Sequence, residues 1–198
     1  MKVLFVTRGF PSDKNLMSGN YEAVQAKAIA TKGHEVHVIA IHWQNLLHVF
    51  ESRTINRRVK DGIHVYECKG LTASIPHLYF PKFEHWVREK QFKKVFNEYV
   101  KEFGIPDIVH AHIISTASPA IFLKKDLHIP FVITEHWTMM NTDNTSKRVM
   151  NQVGVYKLAD RVICVSDALA VSLRNKNQVN SLVVHNMVND ILDRKSVV

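Results

Sequence analysis

The chain has 198 residues, 46% of them hydrophobic and 22% charged, with a formal net charge of +8. This length suits one large domain whose core needs no covalent staples, and the composition excludes a disordered or fibrous chain. Cys68 and Cys164 stand alone, which excludes a disulfide framework and a zinc ribbon and fits a reducing cytoplasm. The positive charge favours anionic partners, but no helix-turn-helix, zinc-finger or RNA-recognition signature accompanies it, so nucleic acid is not expected. The apolar run after Met1 is too short for a signal segment, and no stretch approaches a membrane span. A soluble protein is expected, with room for peripheral contact at the inner face of a membrane.

Val3 to Val6 is a continuous apolar run, as expected of a strand buried on both faces. Tyr21 to Lys32 carries Tyr21, Val24 and Ala28 at helical spacing, and Gly33 stops that helix. Glu35 to Ile41 reads as the second strand, and His42 to Asn56 as irregular. The turn Lys60-Asp61-Gly62 leads into a third strand, Gly62 to Cys68. A long helix follows from about Lys82 to Phe103. Its stripe is Phe83, Trp86, Val87, Phe92, Phe96, Tyr99, Val100 and Phe103, and Gly104 caps it. Asp107 to Ala111 is a strand, Thr116 to Asp126 a helix and Phe131 to Thr134 a strand behind Pro130. Ser146 to Leu158 is a helix, Arg161 to Val165 a strand, Asp167 to Arg174 a short helix and Leu182 to Val184 the last strand.

This alternation predicts one α/β domain, Rossmann-like and doubly wound around a mainly parallel sheet. In such a sheet the strands' C-terminal ends share one edge, and ligands bind there. The residues just beyond the strands then converge: Arg8 to Asn20, His110 to Ser115, Glu135 to Thr138, Ser166 and Asn186.

Ser18-Gly19-Asn20 precedes the first helix. Gly19 lets the backbone approach a ligand and the helix N-terminus offers N–H groups to an anion, but a simple helix cap by Ser18 or Asn20 is the stronger reading of these residues alone. His110 and His112 lie on one face of their strand. His112, nearer the strand end, is the candidate base or hydrogen-bond donor, and His110 the structural histidine. No third ligand stands at metal spacing. His136 beside Glu135 offers an acid/base or sugar-binding pair, and Trp137 either stacks on a sugar or covers the core. The long helix, with Lys82, Arg88, Lys90, Lys93, Lys94 and Lys101 around its stripe, admits contact with an anionic membrane; an ordinary amphipathic helix is the commoner case.

Six segments in order resemble the N-terminal lobe of the family-four glycosyltransferases, which have the two-domain GT-B fold. They are Lys2 to Val6 with the loop at Gly19, Gly33 to Val38, Pro106 to His112, Ile129 to His136, Ala159 to Ser166, and Val184 to Asn189. The resemblance implies that Gly19 approaches the donor phosphates and the acceptor, with Asn20 a substrate contact where the family often has a second glycine, and that His112 lies at the reacting centre. It carries His136, Ser166 and Asn186 over as substrate contacts. Met187 and Asn189 depart from the family's N-G-V-D turn.

The function so implied is transfer of a sugar, with retention, from a nucleotide-sugar donor to a glycan or lipid-linked acceptor, in cell-surface polysaccharide synthesis. No cofactor and no metal are expected. Residues 1–186 are expected to form the acceptor-side lobe and 187–198 to begin a linker to an absent donor lobe, leaving this chain alone inactive. Two alternatives share the architecture: a sugar-nucleotide 2-epimerase, for which only Glu135 is a candidate acid, and a non-catalytic sugar- or nucleotide-binding module.

Overall fold

The computed structural model describes residues 1–13, 15–48, 50, 54–72, 80–136 and 150–187. Its strands are β1 (Lys2–Thr7), β2 (Glu35–Gln44), β3 (Asn56–Lys60), β4 (Ile63–Leu71), β5 (Ile108–His112), β6 (Phe131–Glu135), β7 (Arg161–Cys164) and β8 (Leu182–Val183). Its helices are α1 (Asn20–Thr31), α2 (Pro81–Phe103), α3 (Ile114–Ala120), α4 (Phe122–Lys125) and α5 (Asp167–Asn177), with a 3-10 turn at Val153–Leu158. The strands form one sheet in the order β3-β4-β2-β1-β5-β6-β7-β8. Only β3 runs antiparallel, against β4. This is the α/β lobe with a mainly parallel sheet that the sequence predicts.

The strand period of two sorts side chains onto two cores. Leu4, Val6, Val109, Ala111 and Ile133 pack with α2, α3 and α5, whereas Val3, Phe5, Val36, Val38 and Val65 pack with α1 through Ala26. Burial on both faces explains why these strands read as unbroken apolar runs.

Several elements differ from expectation. Between the segment read as irregular, which ends at Asn56, and the turn at Lys60-Asp61-Gly62 lies a strand that was not expected, β3, whose polar sequence Asn56-Arg57-Arg58-Val59-Lys60 forms an edge strand. An edge exposes charges at little cost, so no apolar run marks it. The single helix expected over Thr116 to Asp126 is two short ones, α3 and α4. Pro119 has no N–H for the carbonyl of Ser115 four residues earlier, and the guanidinium of Arg88 donates to that carbonyl instead. The helix expected at Ser146 to Leu158 is, over its described part, mainly the 3-10 turn, and its first residues lie outside the described ones. Neither Ser18 nor Asn20 caps α1: Gly19 holds the N-cap position without a side-chain bond. Apart from Met187, the linker expected at 187–198 lies outside the described residues.

Candidate active site

The sheet edge where β1, β5, β6 and β7 end gathers most of the residues predicted for the site. On β5 and β6, positions 110, 112, 134 and 136 alternate onto the α1 face. There the rings of His110 and His112 stack at 4.6 Å, and those of His112 and His136 at 5.3 Å. Phe5 of β1 stacks against His112 at 5.0 Å, and Tyr21 of α1 lies 6.4 Å from His136. Three imidazoles thus form one ladder, with Phe5 packed against its buried part and Tyr21 beside its outer ring.

Hydrogen bonds fix the ladder. His110 Nε2 meets Thr134 Oγ1 at 2.7 Å, and His112 Nδ1 meets His136 Nε2 at 3.1 Å. His112 is wholly buried, and among the described residues its Nε2 has no partner. The hydroxyl of Thr7, another buried residue on the α1 face at the same edge, also has none. Burial and the neighbouring His136 push His110 down to about 4. Burial, with His110 and His136 beside it, holds His112 well below the usual histidine value. Burial lowers His136 as well, against a hydrogen bond to Asn186 that favours the protonated ring. The ladder is therefore neutral at physiological pH, a set of hydrogen-bonding groups rather than a cationic patch.

The loops before α1 press backbone on backbone. Gly19 sits at φ 68°, and a Cβ there would lie 2.2 Å from the carbonyl oxygen of Gly9. Arg58 of β3 braces this region from the side, donating to the carbonyls of Pro11 at 2.9 Å and Phe10 at 3.0 Å. Glu67 receives Arg58 at 3.2 Å and meets His42 at 2.6 Å; His42 first, then Arg58, holds its carboxyl below the usual range. Beside α1 a cavity of about 480 Å³ is lined by Phe10, Pro11, Leu16, Met17, Val24 and Ile63, with Asn20, Lys27 and Lys60 also on its wall.

Glu135 has a different place from the one its sequence position suggests. It points to the opposite face from His136, is fully buried, and accepts from Ile114 N–H at 2.9 Å, His136 N–H at 3.0 Å and Tyr156 O–H at 2.6 Å. It anchors the start of α3 and forms no side-chain pair with His136. The residue between β5 and α3, Ile113, has φ 63°, a strained conformation for a β-branched residue and one often stored beside a functional site.

Gly19, Asn20, His112, His136 and Asn186 thus meet near one edge. Ser166 caps α5, its hydroxyl accepting from Leu169 N–H at 3.3 Å. Trp137 lies outside the described residues. Sequence reasoning missed Thr7, Thr134, Tyr21 and Arg58; the period-two step from Phe5 to Thr7 could have found the first. Among the described residues, no three His, Cys, Asp or Glu groups are placed to hold a metal ion.

Solved structures share this architecture. Sucrose-phosphate synthase from Thermosynechococcus elongatus superposes with a TM-score of 0.65 at 14% identity, over 95% of this chain and 48% of that one. The catalytic domain of starch synthase IV from Arabidopsis thaliana, bound to ADP and acarbose, gives 0.54 at 16% identity, over 95% and 52%. The apo form of the lipopolysaccharide outer core galactosyltransferase WaaB gives 0.50 at 15%, over 96% and 46%. The chain spans about half the length of these structures, and at such identities the likeness shows the fold alone, the GT-B lobe expected from the sequence. No curated protein matches it. The model of Glycosyltransferase Family 4 matches residues 20–190, most of the chain from the start of α1 through the histidine ladder, and the chain is a member of that family.

Proposed function

We propose that the chain is the acceptor-side lobe of a retaining sugar transferase, moving a hexose from a nucleotide-sugar donor to a glycan or lipid-linked acceptor in cell-surface polysaccharide synthesis. The observation that carries this reading is the neutral histidine ladder beside the uncapped N-terminus of α1, at the edge where the strands end. His112 is the reacting-centre residue of the proposal. Its unpartnered Nε2 and the hydroxyl of Thr7 are buried polar groups suited to a substrate hydroxyl. The first N–H groups of α1 suit the donor diphosphate.

Family membership supports the reaction class, and a lobe spanning about half of the sucrose-phosphate synthase, starch synthase and galactosyltransferase structures supports a site shared with a second lobe. The apolar cavity, with Lys27 on its wall and Lys60 there beside Asp61 and 3.6 Å from Asp13, supports an acceptor with an apolar part. The galactosyltransferase neighbour, named for lipopolysaccharide, is consistent with that acceptor class. Retention and independence from a metal follow the family. Glu135 is already held by three donors, which supports a reading without a covalent glycosyl intermediate on it and favours the transferase over the 2-epimerase. The free Cys68 and Cys164 support work in a reducing cytoplasm, the net charge of +8 supports contact with anionic lipid at its membrane face, and among the described residues no helix is long and apolar enough to cross a membrane.

Thermal melting of the chain against nucleotide sugars, free oligosaccharides and lipid-linked sugars tests the assignment. Stabilisation by an acceptor, with little from the nucleotide sugar alone, is expected. Indifference to every ligand would remove the acceptor-side reading, and sugar transfer by the chain on its own would remove the shared site.

A further inference from the structure

The first two turns of α2 expose aromatic residues that the core does not use. Phe80, Phe83 and Trp86 are 55%, 54% and 51% exposed, and Phe83 and Trp86 stack at 5.8 Å. The same helix buries Phe92, Phe96 and Tyr99 almost completely, so the exposed group is a separate surface. Lys82, Lys90 and Lys94 stand on that exposed side, and the Lys90 ammonium sits 4.4 Å over the Trp86 ring. The acids of these turns are turned away. Glu84 is buried beside Arg88, and Glu89 is occupied by Lys93 at 2.6 Å and His85 at 3.2 Å.

The patch has a direction. Arg88, one turn further on, donates to Ser115 just beyond β5, whereas the far end of α2 meets the start of β1 through Lys2 and Phe103. The aromatic end of α2 therefore lies at the edge that carries Gly19 and His112.

We propose that this end of α2 is a docking surface for an anionic lipid bilayer, with Phe83 and Trp86 in the interface and Lys82, Lys90 and Lys94 over the headgroups. Aromatic rings favour the boundary between water and hydrocarbon, and clustered lysines favour anionic headgroups. A second copy of the chain fits less well. A two-fold contact sets a patch against itself and so brings these lysines against their own kind. Docked this way, the lobe holds its strand-end edge next to the membrane, where a lipid-linked acceptor would be presented. The biological purpose of the surface rests on the transferase reading; vesicle binding does not, so the two fail separately.

Co-sedimentation of the chain with phosphatidylcholine vesicles, with and without about one-third phosphatidylglycerol, tests the surface. Binding is expected only with the anionic lipid, and it should weaken as salt shortens the range of the charges. Lys90→Glu with Lys94→Glu, both on exposed positions, should lower the bound fraction roughly tenfold. Phe83→Ser with Trp86→Ser should lower it as much while leaving the melting temperature unchanged. Brominated lipid should quench tryptophan emission in the unaltered chain and far less in Trp86→Phe. Equal binding to both vesicle types, binding untouched by either double variant, or aromatic-dependent self-association without vesicle binding would each overturn the proposal.

Discussion

At Gly19 two independent constraints meet. The backbone is left-handed at φ 68°, and the space a Cβ would take is filled by the Gly9 carbonyl. Gly19→Ala should cost about 1–2 kcal/mol for the conformation alone, and more for the displaced loop, measured by urea unfolding. Glu135 makes a stronger claim on the fold. Glu135→Ala strands the Tyr156 hydroxyl and two backbone N–H groups inside the protein, so a loss of about 3 kcal/mol or more is expected in the same assay. A loss under about 1 kcal/mol would return Glu135 to the list of candidate acids. These residues show what the sequence discloses about the site. The side-by-side placement of His110 and His112 follows from strand alternation, and the same rule sends Glu135 away from His136. The roles of Arg58 and Ser166 do not follow. Arg58 looks like one of many scattered cations until β3 lays it across the Phe10 and Pro11 carbonyls, and the helix-capping bond of the Ser166 hydroxyl shows only once α5 is in place.

Among the elements, α2 is where the periodic pattern and the structure part company. One aromatic stripe along the helix proves to be two surfaces, with Phe92, Phe96 and Tyr99 under Phe122 and Tyr66, and Phe83 and Trp86 in the open. Spacing alone cannot separate them, because the cover over the C-terminal half comes from strands and helices distant in sequence. Phe96→Ala should therefore cost about 3–5 kcal/mol through the cavity it leaves, while Trp86→Ala should change stability by less than about 0.5 kcal/mol, both read from denaturant midpoints. Comparable losses at the two positions would make the aromatic end of α2 part of the core. The parallel strands were legible because burial on two faces leaves no room for polar residues, whereas β3 was not, because an edge strand paired on one side carries its charges freely. The proline that leaves the Ser115 carbonyl without its helical N–H is legible at position 119, but the donor that satisfies it, Arg88, lies on another helix.

Across the whole lobe, neutral histidines buried on both faces of the sheet make stability depend on pH. His37 packs under α2 with Tyr99 and Phe103, while His110 and His112 pack under α1 with Phe5. Burial pushes His37 down to about 4 even though Glu35 opposes the shift, and it does the same to His110. In the unfolded chain each ring titrates near its ordinary value of about 6.5. Below that pH the unfolded state binds protons that the folded state refuses, so stability is fully present above about pH 6.5 and drains away as pH falls toward 4. His37 and His110 each contribute on the order of 3 kcal/mol to that loss by its lower end, with His112 adding in the same direction. Glu67 and Asp160, held below the usual carboxylate range, extend the decline to lower pH. Unfolding free energy measured in urea should therefore be flat from about pH 8 to 7 and fall steeply from about pH 6 to 5, well above the range in which carboxylates titrate. His37→Phe should make that fall shallower by removing one of the protons taken up on unfolding. A profile flat down to about pH 5, or a slope unchanged by the substitution, would mean that these rings are charged or hydrated in the folded lobe.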